Sequence, residues 1–164
     1  MHAAERLWRE GLSFELVLVA GGGWGGEALR LVQQLTHRGR PLRVLQAVTD
    51  QGLREAYARA RFTAFPSLHE GFGLPIAESF SLGVPVLTTG YGSTAELAEG
   101  GGAVLVDPRD DDALTDAMRS LLTDDALLAR LRTEIRSRPV RTWDAYAQQA
   151  WDQLVAPWLA PGAA

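Results

Sequence analysis

Apolar residues along the chain follow two alternating patterns. Short dense runs, at 14–20, 42–46, 61–65, 84–89 and 103–106, have the length of strands and few charges. Between them, apolar residues recur at every third or fourth position, the spacing of a helix with one buried face. The first such stripe lies in 3–10 with Leu7 and Trp8, and the second in 27–38 with Leu29, Val32 and Leu35 turned inward. A third holds Leu53, Ala56, Tyr57 and Ala60, behind Thr49 or Asp50 as N-cap. Further stripes are Leu114, Ala117, Met118 and Leu121, then Leu127, Leu128, Leu131 and Ile135. The last runs from Trp143 through Tyr146, Ala147, Ala150, Trp151 and Leu154 to Val155, and Pro157 closes it. Strands alternating with helices predict an α/β fold: a doubly wound, Rossmann-like parallel sheet with helices on both faces. The run 14–20 is dense enough to predict a strand buried on both faces.

One stretch carries candidate chemistry. After the run 61–65 comes Pro66-Ser67-Leu68-His69-Glu70-Gly71-Phe72-Gly73-Leu74-Pro75-Ile76-Ala77-Glu78, and the pattern then turns helical as far as Gly83. This predicts a strand, a glycine-bearing loop and a helix. Pro75 suits a first helical turn. Gly71 and Gly73 let a ligand approach the backbone. Free N–H groups and the helix dipole favour an anion there, most naturally a phosphate. Glu70 and Glu78 frame that place. A carboxylate is repelled by phosphate but accepts hydroxyl protons well, so sugar hydroxyls are its natural partners. The combination describes a site for a nucleotide-linked sugar. The plainer alternative is a loop whose glycines only make the turn, with Glu78 on a solvated helix face.

Composition changes this picture little. The chain has 164 residues, 46% hydrophobic and 22% charged, as in one globular domain with a sizeable core. A net charge of −4 argues against nucleic acid as the main partner. There is no cysteine, hence no disulfide and no thiolate metal site. His2, His37 and His69 stand far apart without acidic companions at ligand spacing, so no metal is expected. No run has the length of a membrane span, and the cytoplasm is the default location, with peripheral membrane contact left open. Gly21-Gly22-Gly23-Trp24-Gly25-Gly26 contains the formal dinucleotide fingerprint, Gly21-x-Gly23-x-x-Gly26. The next strand, 42–46, lacks the acidic residue that fingerprint wants at its end. A nicotinamide-binding Rossmann domain is therefore the least favoured of three readings.

The stretch Glu70-Gly71-Phe72-Gly73-Leu74-Pro75, with Glu78 eight positions after Glu70, resembles the Glu-x7-Glu signature of retaining GT-B glycosyltransferases, family 4 in particular. Phe65-Pro66-Ser67, Gly83-Val84-Pro85-Val86 and Val106-Asp107-Pro108 fall where that family has them. The resemblance implies the C-terminal, donor-binding half of a GT-B fold, as a single domain over 1–164. It implies Glu70 as the catalytic-site carboxylate on the donor sugar's hydroxyls, and Gly71, Phe72, Gly73 and Leu74 around the sugar and diphosphate. Glu78 would hold the ribose hydroxyls. The backbone at Val48 would read the base, with Leu53 packed on it, although core packing serves equally for Leu53. The family's usual glycine is Gln46 here, whose side chain would narrow the base pocket. Glu96 matches a family glutamate near the cleft, but a solvated or capping role suits it better. No cofactor is implied; the nucleotide diphosphate sugar is the substrate.

The resemblance also implies one more strand at the start, central in the sheet, with a glycine loop and an Arg and a Lys for the donor phosphates. By that resemblance, this chain is expected to begin inside the helix that follows it. The gap should then close by pairing 14–20 with 61–65, or by a strand from another chain, either a separate N-terminal-type domain or a second copy. Two strands left apart with nothing between them would count against this strand inventory. The final helix, 142–156, is expected to cross back or dock on a partner, with Trp151 and Trp158 on an exposed or partner-covered face and Trp143 on its own domain. Without the acceptor-binding domain the chain alone should not transfer sugar. A non-catalytic remnant or binding and assembly module of the same fold is the second reading.

Overall fold

The computed structural model describes residues 1–20, 25–139 and 142–159, so that Gly21–Trp24 of the glycine-rich run fall outside the described residues. The order is α1 (His2–Arg9), β1 (Leu16–Ala20), α2 (Gly26–His37), β2 (Leu42–Gln46), α3 (Asp50–Arg59), β3 (Thr63–Phe65) and α4 (Leu74–Ser81). Then follow β4 (Val86–Thr89), α5 (Gly92–Ala98), β5 (Ala103–Val106), α6 (Asp111–Thr123), α7 (Asp125–Arg136), α8 (Trp143–Leu154) and α9 (Ala156–Leu159). Local chemistry sets many of the boundaries. Thr49, Asp110, Asp124 and Thr142 cap α3, α6, α7 and α8, each accepting a backbone N–H of the first turn. Asp124 ends α6 and starts α7, which makes the corner between them tight. Pro85 has no N–H for a ladder, so β4 starts one residue later, while the Pro85 carbonyl accepts the Thr63 N–H at 2.9 Å.

All pairings are parallel, and helices flank the strands, as the alternating pattern predicts. The strands form two sheets. β1 pairs with β2 from Leu16↔Leu42 to Ala20↔Gln46, and β3, β4 and β5 pair in that order. Closure by pairing β1 with β3 is the expectation that fails. Among the described residues no strand lies between them, so the five strands do not make one complete sheet, the outcome that counts against the five-strand inventory read from the sequence. Burial follows from this. Every residue of β4, flanked on both sides, is buried. β1, with one neighbour, is mostly half-buried rather than covered on both faces, and Val19 is 48% exposed. Leu29, expected inward on α2, is also 47% exposed, while Val32 and Leu35 are buried.

What joins the sheets is side-chain packing. Leu7, Trp8, Leu35, Leu87, Met118, Leu121, Leu128 and Leu131 belong to one core cluster, which Leu16 and Leu42 join from one sheet and Val104 from the other. α1 straps the two halves. On one side Glu5 accepts from Arg40 at 2.7 and 3.1 Å and pairs with Arg38 at 3.3 Å. On the other, Arg6 pairs with Asp112 and Glu10 with Arg119 at 2.8 Å. The Trp8 ring stacks on Phe14 with centroids 5.1 Å apart, and its indole N–H donates to the Phe14 carbonyl at 3.0 Å. A second cluster, Ile76, Phe80, Val86 and Ile135, seats α4 on the three-stranded sheet. α8 and α9 leave Tyr146, Trp151, Leu154, Trp158 and Leu159 exposed. The side chain of Trp143 lies outside the described residues. No helix among the described residues is long and apolar enough to cross a membrane.

Candidate functional site

The loop between β3 and α4 gathers the candidate residues. Gly73 is the N-cap of α4 at φ 95°. A Cβ there would lie 3.1 Å from Leu97 Cδ1 and 3.3 Å from Ile76 Cδ1, besides the cost of a left-handed backbone. The first helical turn is tightened by Ile76 and Ala77, whose N–H groups both donate to the Gly73 carbonyl. The N–H groups of Gly71, Phe72, Gly73 and Leu74 have no acceptor among the described residues, and the side chains of Phe72 and Leu74 are exposed. Free N–H groups at a helix start favour an anion, and here Gly71, Phe72 and Leu74 are exposed while Gly73 is buried.

Glu70 stands just before it, half-buried. Its backbone carbonyl accepts from Ser93 Oγ at 3.0 Å, which ties the loop to the start of α5. Its carboxylate has no hydrogen bond or ion pair among the described residues. Ser67, Leu68, His69 and Glu70 form one wall of a small notch, and Thr89, Tyr91, Ser93 and Thr94 form the other. A shallower hollow lies next to it over Gly90, Tyr91, Leu105, Val106 and Asp107. Both lie beyond the carboxyl ends of the strands, where open parallel sheets place ligands.

Glu78 lies one turn into α4 and is half-buried. Its Oε2 accepts from the Tyr57 hydroxyl at 3.0 Å. The same hydroxyl is 3.3 Å from the Pro75 carbonyl. Burial, then the hydrogen bond and charge of Glu78, hold the Tyr57 phenol far above its usual range, so it stays protonated as a donor. α4 itself is fixed by Ser79 Oγ, 2.7 Å from Thr63 Oγ1 and donating to the Val84 carbonyl at 3.1 Å.

The third part is the turn between β2 and α3. Ala47 has φ 48°, a strained backbone for a residue with a Cβ. Val48 follows, half-buried, and packs so closely over Gly52 that a Cβ on Gly52 would lie 3.0 Å from Val48 Cγ1. Leu53 is half-buried and shares a face of α3 with Tyr57, one turn away. Gln46 and Glu96 are exposed.

The structure thus brings Glu70, the 71–74 backbone and Glu78 around one helix end, and Tyr57 links that end to the helix that carries Leu53. Tyr57 is the member that sequence reasoning missed. Its place in the apolar stripe of α3 was legible; a buried tyrosine needs a partner for its hydroxyl, and that requirement was the available signal. The 16 basic residues of the chain are all arginine, and none is hydrogen-bonded or ion-paired to the 70–74 loop among the described residues. No group of three or more His, Cys, Asp or Glu gathers in metal-binding proximity among the described residues.

Residues 1–124 match the family model described as glycosyl transferases group 1. An O-antigen chain mannosyltransferase B from Escherichia coli is 38% identical over 116 residues, 70% of this chain and 30% of that protein. A D-inositol 3-phosphate glycosyltransferase from Xylanimonas cellulosilytica is 36% identical over 157 residues, 92% of this chain and 36% of that one. The chain therefore spans about a third of the length of these relatives. Among solved structures, TarM superposes with a TM-score of 0.67 at 15% identity, over 90% of this chain and 30% of that one. At that identity the likeness concerns the fold, and it places this α/β arrangement with the GT-B structures. With three quarters of its length matched, the chain belongs to the group 1 glycosyl transferase family.

Proposed function

We propose that this chain is the donor-binding part of a retaining, family-4-type glycosyltransferase that uses a nucleotide diphosphate sugar. One observation carries the reading: a helix end with four N–H groups that have no acceptor among the described residues, with Glu70 just before it and Glu78 one turn into the helix. In this reading the diphosphate sits on the N–H groups of Phe72, Gly73 and Leu74, beside Gly71. They stabilise the negative charge that grows as the leaving group departs. Glu70, whose carboxylate has no partner among the described residues, accepts the hydroxyls of the donor sugar near the reacting carbon. Glu78 accepts the ribose hydroxyls. The backbone at Val48 meets the base, and Leu53 packs on its face.

A separate N-terminal-type domain, or a second copy of this chain, supplies the acceptor side and a strand for the seam between β1 and β3. The exposed face of α8, with Trp151 and Leu154, docks on that partner. The complete enzyme works in the cytoplasm.

Calorimetric titration with UDP-, GDP- and ADP-sugars tests this, with Glu78→Ala as control. One of the three binds, and the variant binds it at least tenfold more weakly, since a charge-assisted hydrogen bond contributes about 1.5–3 kcal/mol. No heat from a folded chain at millimolar ligand would sink the reading. A non-catalytic binding module of the same fold is the second reading, favoured by the absence of an arginine engaged with the 70–74 loop among the described residues. Donor binding without hydrolysis of any donor, with the partner domain added as well as without it, would favour it.

A further inference from the structure

We infer that Tyr57 is the positioning residue that aims Glu78 at the ribose, so that nucleotide recognition depends on a side chain of α3 that need not touch the nucleotide. The inference rests on the reading of Glu78 given above. Tyr57 is 9% exposed, and its hydroxyl reaches from α3 to α4. Its hydroxyl has one proton and two acceptors in reach, Glu78 Oε2 at 3.0 Å and the Pro75 carbonyl at 3.3 Å. The charged oxygen is the nearer and the stronger acceptor. Burial and the neighbouring carboxylate keep the phenol protonated, so it remains a donor.

This bond changes what Glu78 can do. A glutamate on a helix normally samples several rotamers. One oxygen of Glu78 is held, while no partner occupies Oε1 among the described residues. An ionised carboxylate has about four lone-pair sites. Tyr57 takes one and leaves three, enough for the two hydroxyls of a ribose. Tyr57 also orders the site along the nucleotide. Its ring lies one turn from Leu53 on α3, so the same residue sets the spacing between the base wall and the ribose carboxylate.

The test compares wild type, Tyr57→Phe, Glu78→Gln and the double variant by calorimetry. The ligand is whichever of UDP, GDP and ADP the wild-type chain binds, and beside it the 2′,3′-dideoxy counterpart. Tyr57→Phe keeps the ring and loses the proton. It should weaken the ribonucleotide about five- to tenfold and leave the dideoxy nucleotide unchanged. The double variant should bind no more weakly than Glu78→Gln alone. Equal weakening of both ligands would overturn the inference, because the effect would then not pass through the ribose. So would an unchanged Tyr57→Phe beside a weakened Glu78→Gln, and in that case the reading of the site itself survives. If the wild-type chain binds no nucleotide, both fall together. Should Tyr57→Phe fail to fold, the phenol is titrated by ultraviolet absorbance in Glu78→Gln, where the ring remains. Tyr57 should then ionise at lower pH than in wild type; an unmoved titration would overturn the coupling.

Discussion

The three-stranded and two-stranded sheets draw on one core but are held in different ways. In the three-stranded sheet β4 is wholly buried, and its threonines bond sideways: Thr88 Oγ1 donates to the Phe65 carbonyl at 3.0 Å, and Thr89 Oγ1 meets Thr94 Oγ1 at 2.8 Å. Arg138 closes the far end, donating to the carbonyls of Gly101, at 2.7 Å, and Leu97 with its guanidinium over the Phe80 ring. In the two-stranded sheet β1 has a single neighbour, Val19 faces solvent, and the attachment to the rest runs through α1. The first region carries the helix end with Glu70 and Glu78. The second carries the turn with Ala47 and Val48. The difference is that the diphosphate side of the proposed site stands on a sheet whose central strand is wholly buried, while the base side stands on a two-stranded sheet joined to the rest through α1 and the shared core.

The strongest way to break the contrast is to damage the three-stranded half. Gly102 has φ 85°, and a Cβ there would overlap the Ile135 side chain and lie 3.2 Å from Phe80 Cε1. Gly102→Ala should cost about 3 kcal/mol, by combining overpacking with a left-handed alanine. In urea melts the midpoint falls with little change in slope.

The strap is tested next. The hydrogen bond from Arg40, then the charges of Arg40 and Arg9, hold the Glu5 carboxyl below its usual 4.5 against the opposing effect of burial. Its side chain is only 13% exposed. A depressed folded-state pKa means that the unfolded chain takes up the proton first as pH falls. The stabilisation is therefore complete above the usual value and is lost as pH drops through the lowered one. Glu5→Gln should destabilise the chain at neutral pH, and its melting temperature should converge on that of wild type in acid. Amide exchange should rise in β1 and β2 before β4.

The smallest effect has the opposite sign. Ala47→Gly removes a left-handed strain of about 1–2 kcal/mol, partly offset by the greater freedom of glycine in the unfolded chain. Thermal melting should rise by a few degrees or less. If Val48 meets the base as proposed, nucleotide binding should weaken slightly as the turn loosens.

Much of this was legible in the sequence because it is local. β2 and β5 have the boundaries that their apolar runs predict, and Thr49 caps α3 as its position implies. The loop with Gly71 and Gly73 leads into a helix with Pro75 in its first turn. These features depend on backbone preferences and on residues a few positions apart. Leu29 was misplaced because periodicity marks an apolar face but not whether a neighbour covers it, and among the described residues this one stays 47% exposed.

The sequence by itself determined the alternation of strands and helices, the parallel direction that follows from it, and a helix start bracketed by two carboxylates. Only the tertiary structure decided that β1 and β3 stay unpaired, since packing of α1 and the helices over one shared core holds the halves together without a ladder between them. Only the tertiary structure joined Tyr57 to Glu78, which lie 21 positions apart on different helices. A hydrogen bond needs two atoms about 3 Å apart. No pattern of residue types specifies that distance until α3 and α4 have found their places in the fold.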